Sequence, residues 1–95
     1  MNLHPSYLPA YRGTKSSVWA LLNGEKETGI TFHYITDIVD GGNIILQKKL
    51  DILDNDTAYS LYHKCISLFL DNFTEALNRF LSNNYGEEQK GKVSL

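Results

Sequence analysis

Cysteine occurs only once in the 95 residues, at Cys65, so no internal disulfide can form, and a reducing, cytoplasmic compartment is the expectation. Charge of one sign is equally scarce: nine Lys and Arg stand against eleven Asp and Glu, scattered along the chain. A net charge of −2 without a basic tract gives no electrostatic footprint for nucleic acid. No apolar run approaches the roughly 20 residues of a membrane span, so no membrane association is expected. The first residues hold neither a basic segment nor an apolar stretch of signal-peptide kind, and Pro5 and Pro9 interrupt them. With one cysteine and no His-Glu-x-x-His spacing, no metal is expected either. Proline itself is rare, and both copies fall at the start of the chain.

Those prolines punctuate Asn2-Leu3-His4-Pro5-Ser6-Tyr7-Leu8-Pro9, which Arg12-Gly13 closes. Each proline fixes its own φ and keeps the residue before it, His4 or Leu8, out of the α region. The segment therefore reads as a strand end running into a stiff loop. Extended chain would place the Asn2 carboxamide and the His4 imidazole on one face. A rigid polar pair at such a strand end is a candidate site.

Further along, Thr14 to Leu22 reads as a short helix, with Ser16 or Ser17 as cap and Asn23-Gly24 as stop. Gly29 to Ile35 is a strand by its β-branched and aromatic content. Ile30, Phe32 and Tyr34 share one of its faces, Thr31, His33 and Ile35 the other. Thr36 to Asn43 is a loop, and Ile44 to Lys49 a second strand. The two can pair antiparallel, although the loop is long for a tight hairpin. Asp54 to Thr57 offers several N-caps for an amphipathic helix running to about Asn83. Its expected stripe is Leu61, Cys65, Phe69, Phe73, Leu77 and Phe80. Cys65 on that stripe is core, while Tyr59, Tyr62 and His63 read as surface or packing residues. Residues 1–83 thus form one small domain, and 84–95 a polar tail or linker.

Singly, the polar patches have plain readings. Asp40-Gly41-Gly42 is a turn, and a strand histidine such as His33 is ordinarily packed. In order they say more. The blocks Asn2-Leu3-His4-Pro5-Ser6-Tyr7-Leu8-Pro9, Arg12-Gly13, Trp19-Ala20-Leu21-Leu22-Asn23-Gly24, Thr28-Gly29-Ile30-Thr31-Phe32-His33 and Asp40-Gly41-Gly42-Asn43-Ile44-Ile45-Leu46-Gln47 resemble the 10-formyltetrahydrofolate-dependent formyltransferases. That family includes the glycinamide ribonucleotide, methionyl-tRNA and sugar N-formyltransferases. The resemblance covers about half the chain residue by residue, and the separation of His4 from Asp40 agrees with the family pattern.

The resemblance implies an α/β fold: the C-terminal half of a Rossmann-like formyltransferase domain, made of a loop, a short helix, two strands and a long amphipathic helix. It implies an N-terminal half ahead of the motif, with Met1 an internal residue, and a parallel sheet whose exposed edge would favour a homo-oligomer. Asn2, His4 and Asp40 take the family's catalytic positions. The loop Thr36, Asp37, Ile38, Val39 and Asp40 would contact the pterin of 10-formyltetrahydrofolate, the co-substrate, largely through backbone. Ser6, Arg12, Gly13 and His33 would bind substrate or support the site. Many members carry Asp-Thr-Gly where this chain has Asp40-Gly41-Gly42, which implies a looser folate loop. The formyl acceptor is a small-molecule amine, an amino sugar by preference and methionyl-tRNA next. Two alternatives stand beside it: a formyltetrahydrofolate deformylase, with water as acceptor, and a truncated non-catalytic chain that acts as a binding module.

Overall fold

In the computed structural model, which describes residues 1–82, 85–91 and 93, three strands form one sheet with two helices against it. The strands are β1 (Asn2–His4), β2 (Glu27–His33) and β3 (Ile44–Asp51), and the helices are α1 (Ser16–Leu22) and α2 (Ala58–Leu81). The sheet order is β1-β2-β3. Both pairings are antiparallel: Asn2 lies opposite His33 and His4 opposite Thr31, while Ile30 faces Lys48 across β2 and β3. The parallel sheet expected from the resemblance is therefore not formed by the described residues. The connection between β2 and β3 simply folds back, and β1 meets β2 head to tail. The register slips between Phe32 and His33, at the end of β2 where the polar residues gather.

Central position explains the composition of β2. From Thr28 to His33 it is buried on both faces, and the two faces are chemically different. Ile30 and Phe32 join Ile45, Leu46, Cys65, Phe69 and Ala76 in the apolar core. The Phe32 and Phe69 rings meet edge to face with centroids 5.3 Å apart, a favoured aromatic geometry. The opposite face is polar. Thr31 Oγ1 donates to the Ser6 carbonyl at 2.8 Å and accepts from Leu8 N at 3.2 Å and Gln47 Nε2 at 3.0 Å. Gln47 Nε2 also donates to the Leu8 carbonyl at 2.8 Å. The loop at the prolines is thereby bolted to the middle strand, with Leu8 buried beneath it. The Leu8–Pro9 peptide is cis.

The helices differ from expectation in two places. Neither Ser16 nor Ser17 caps α1: the N-cap is Lys15, at φ 58°, with no side-chain cap bond. Ser16 Oγ instead donates to the Pro5 carbonyl at 2.9 Å, so the serine serves the loop rather than the helix. Helix α2 begins as expected, behind Thr57, whose hydroxyl accepts from Ser60 N while the Ser60 hydroxyl accepts from Thr57 N, a reciprocal cap. Its buried residues are Leu61, Cys65, Phe69 and Ala76, with Phe80 partly buried, whereas Phe73 is 41% exposed. Each step of four overshoots a 3.6-residue turn by about 40°. After Phe69 the stripe slips back to Ala76, and Phe73 is carried off it. Asn83, the expected end of the helix, lies outside the described residues. Beyond it, residues 85–91 return to the sheet: Ile44 N donates to the Glu87 carbonyl at 2.6 Å and Glu87 N to the Ile44 carbonyl at 2.9 Å. Over those residues the stretch expected to be a tail or linker is bonded to the domain. No described helix is long and apolar enough to cross a membrane.

Candidate active site

The site forms where β1 and β2 run out. His4 ends β1, His33 ends β2, and the loop that follows β2 turns back to bring Asp40 between them. His4 Nδ1 lies 3.5 Å from Asp40 Oδ2, and His33 Nε2 lies 3.4 Å from Asp40 Oδ1. All three side chains are nearly enclosed, at 7%, 3% and 10% exposure. Asp40 adopts φ 52°, a left-handed conformation that Asp tolerates better than most residues. One further group fixes its carboxylate: Gly13 N donates to Oδ2 at 2.8 Å.

The outer nitrogens of both rings settle which atoms carry hydrogen. His4 Nε2 is 2.7 Å from the Tyr11 carbonyl, and His33 Nδ1 is 2.9 Å from the Tyr34 carbonyl. A carbonyl oxygen only accepts, so each of those nitrogens must donate. In the neutral rings the nitrogens facing Asp40 are therefore bare and would present lone pairs to a carboxylate. A proton on either one converts the contact into a charge-assisted hydrogen bond. His33 Nε2, buried and without an aligned hydrogen-bond partner among the described residues, is the less satisfied side of the cluster.

The remaining expected residues fall into two groups. Ser6, buried, donates from Oγ to the Ala10 carbonyl at 2.7 Å and the Tyr11 carbonyl at 3.4 Å. It braces the same carbonyl that orients His4. Arg12 turns away from Asp40 and donates to Gln89 Oε1 from Nε and Nη2, at 3.2 and 2.9 Å. Asn2 is exposed, two residues before His4, and its Oδ1 accepts from Leu3 N at 2.9 Å. That bond leaves the Nδ2 group as its donor. Asn2 is not in bonding contact with His4 or Asp40; the register sets it opposite His33.

Thr36 to Val39 form the exposed lip. Thr36 Oγ1 and the Ile38 backbone bond each other at 3.2 Å, and Gly41 N donates to the Ile38 carbonyl at 3.0 Å. A cleft of about 390 Å³ opens here, lined by Tyr34, Thr36, Asp37, Ile38, Gly41 and Gly42 among others, within the range of small-molecule sites. A larger cleft, about 790 Å³, lies between the end of β3 and α2, around Tyr59, His63 and Lys64. Neither cleft is lined by His4, His33 or Asp40 themselves; the smaller one is lined by their chain neighbours Tyr34, Gly41 and Gly42. The two glycines after Asp40 are not equivalent. A Cβ on Gly42 would sit 1.8 Å from the Tyr34 carbonyl oxygen, whereas one on Gly41 would meet only the Ile38 side chain and carbonyl. Glycine is thus required at 42, while at 41 the Ile38 side chain would have to move. Among the described residues no group of three or more His, Cys, Asp or Glu is placed to hold a metal ion.

Gln89 was not foreseen. Its Nε2 donates to the Asp40 carbonyl at 2.6 Å and the Gly42 carbonyl at 2.9 Å. A lone glutamine in a polar stretch carries no periodicity or motif that would single it out. Thr31 and Gln47 do carry a signal, being polar residues within strands.

Fold and cluster together define an α/β protein with a buried carboxylate–imidazole cluster close to an open cleft. The chain belongs to the formyl transferase family, whose model matches residues 1–77. It is 40% identical to GDP-perosamine N-formyltransferase of Brucella melitensis over 94 residues, 99% of this chain and 36% of that protein. With methionyl-tRNA formyltransferase of Chlorobium chlorochromatii it shares 41% over 83 residues, 87% of this chain and 26% of that one. Among solved structures, the N-formyltransferase of Helicobacter canadensis in complex with folinic acid and dTDP-3-aminofucose superposes with a TM-score of 0.81. That structure is 38% identical and covers 99% of this chain and 35% of its own. The chain thus spans about a quarter to about a third of the length of these relatives.

Proposed function

We propose that the protein transfers the formyl group of 10-formyltetrahydrofolate to an amine on a nucleotide-linked sugar, within the cytoplasm. The observation that carries this reading is the placement of Asp40 between His4 and His33, with Gly41 and Gly42, which follow it in the chain, lining the neighbouring cleft. Residues 1–83 would then belong to the catalytic domain. The amino-sugar preference draws on the GDP-perosamine enzyme and the dTDP-3-aminofucose complex, together with the absence of a basic tract for tRNA.

In this reading the neutral amine attacks the formyl carbon, a C–N bond forms, and negative charge moves onto the formyl oxygen. Asn2 Nδ2 donates to that oxygen, and His4, as the imidazolium, donates from Nδ1 while Nε2–H stays on the Tyr11 carbonyl. Donors of this kind contribute roughly 2.7–4 kcal/mol each. Asp40 takes the proton released by the amine, directly or through a water, and returns it to N10 as the bond from the formyl carbon to N10 breaks. Acid–base help of this sort contributes about 10²–10⁴-fold. The open edge of β1 is the proposed pairing site for another strand, from this protein or a second copy, which light scattering tests.

The test incubates the full protein with 10-formyltetrahydrofolate and dTDP- or GDP-linked amino sugars. N-formylated sugar and tetrahydrofolate are the expected products. Formate released without an acceptor would make water the acceptor, and transfer to methionyl-tRNA alone would move the acceptor class. No turnover with any of these would defeat the reading.

A further inference from the structure

We infer that Gln89 is the positioning residue for Asp40. Its carboxamide is fully used: both N–H groups go to backbone carbonyls, of Asp40 at 2.6 Å and Gly42 at 2.9 Å, and its oxygen accepts twice from Arg12. Chemistry permits only this orientation. Turned over, the amide would set its oxygen against two carbonyls and its donors against a guanidinium, which has no acceptor.

The contact joins three separate pieces of chain at the site. Arg12 precedes Gly13, whose N–H holds the Asp40 carboxylate. Asp40 and Gly42 flank the turn that presents that carboxylate to His4 and His33. Gln89 itself is placed by Glu87, two residues earlier, through its paired bonds with Ile44. A non-glycine residue at φ 52° persists only where its surroundings over-determine it. Gly13 grips the side chain of Asp40 and Gln89 its main chain. Without Gln89, two carbonyls and a guanidinium lose their shared partner, and the carboxylate is no longer fixed from behind.

This inference rests on Asp40 as the proton-transfer group, so its test has one arm that needs no turnover. Gln89→Glu and Gln89→Ala are made in the full protein. Glutamate keeps an acceptor for Arg12 but turns the two donated bonds into repulsions; alanine removes both sides. Loss of turnover of about 10- to 100-fold, mainly in kcat, is expected for both variants, in line with the cost of disturbing a group that orients a reacting residue. In parallel, hydrogen exchange at the Gly13 amide, read by NMR, should accelerate in both variants, because its acceptor is the Asp40 carboxylate. A Gln89→Glu protein with full turnover would show that Gln89 merely anchors Arg12, and overturn the inference. So would unchanged Gly13 exchange in both variants. If the wild-type protein transfers no formyl group, the function reading fails while the Gly13 measurement still decides this one.

Discussion

The loop at the prolines and the loop after β2 meet at Asp40, yet they are built in opposite ways. From Ser6 to Leu8 polar groups are tied inward, to Thr31, Gln47 and the loop's own carbonyls, and Ser6 and Leu8 are each 1% exposed. From Ile35 to Val39 the chain stands in solvent, with Val39 72% exposed. The first loop holds His4 and Gly13 in place for chemistry. The second leaves the apolar side chains of Ile35, Ile38 and Val39 uncovered beside a cleft. Rigidity and openness are divided between them, with Asp40 at the junction.

The sharpest way to break this contrast is at the junction. Asp40→Asn keeps the shape and removes the proton acceptor, and turnover should fall by about 10²–10⁴-fold. A variant within twofold of wild type would remove Asp40 from the reaction. Next comes the apolar core on the other face of β2. Phe69→Ala should cost about 3–5 kcal/mol, since Phe69 is 6% exposed and meets Phe32 edge to face. An unchanged denaturation midpoint would contradict that packing.

A smaller effect is expected at the entrance of α2. The Asp56 carboxyl is held down at about 2, first by the hydrogen bond from Lys64, then by those from Leu53 N and the Ser60 hydroxyl. Its unfolded value is about 3.9. A depressed folded value stabilises the fold above the unfolded value, and that contribution drains away as pH falls toward 2. Asp56→Asn should therefore flatten the acid limb of the stability curve between about pH 5 and 2. An acid limb identical to wild type would deny Asp56 any part in it. The smallest change belongs to the open loop. Val39→Ser should leave stability within about 0.5 kcal/mol while raising KM for the folate. A destabilised Val39→Ser protein would mean that the lip is packed rather than open.

Much of this was legible in the residues, and the reasons are local. Pro5 and Pro9 dictate a non-helical loop. The β-branched and aromatic run of β2 predicts a strand, and its alternation sets Ile30 and Phe32 on one face and Thr31 and His33 on the other. Asp40 beside His4 followed from motif order. What could not be read required long-range geometry. The antiparallel pairing of β2 with β3 agrees with the sequence reading, whereas the pairing of β1 with β2, also antiparallel, was not foreseen. The drift of a four-residue stripe moved Phe73 out of the core and Ala76 in. Ser16 resembles a cap by composition, but the Pro5 carbonyl claims its hydroxyl. Gln89 needed the most distant information, since its partners lie 77 and 47–49 residues away in sequence.

The pairing of Glu87 with Ile44 has a practical consequence for anyone dividing this family into modules. Sequence similarity to the family model stops at residue 77, within α2, and a boundary drawn there, or at the end of the helix, would look natural. It would also strip the clamp from behind Asp40 and uncover Ile44 at the margin of β3. A graft, chimera or minimal fragment cut at that boundary would retain His4, His33 and Asp40 while losing the Gln89 bonds to the Asp40 and Gly42 carbonyls. The hydrogen-bonded unit outruns the family-model match, and swaps between relatives should carry the chain at least through Gln89.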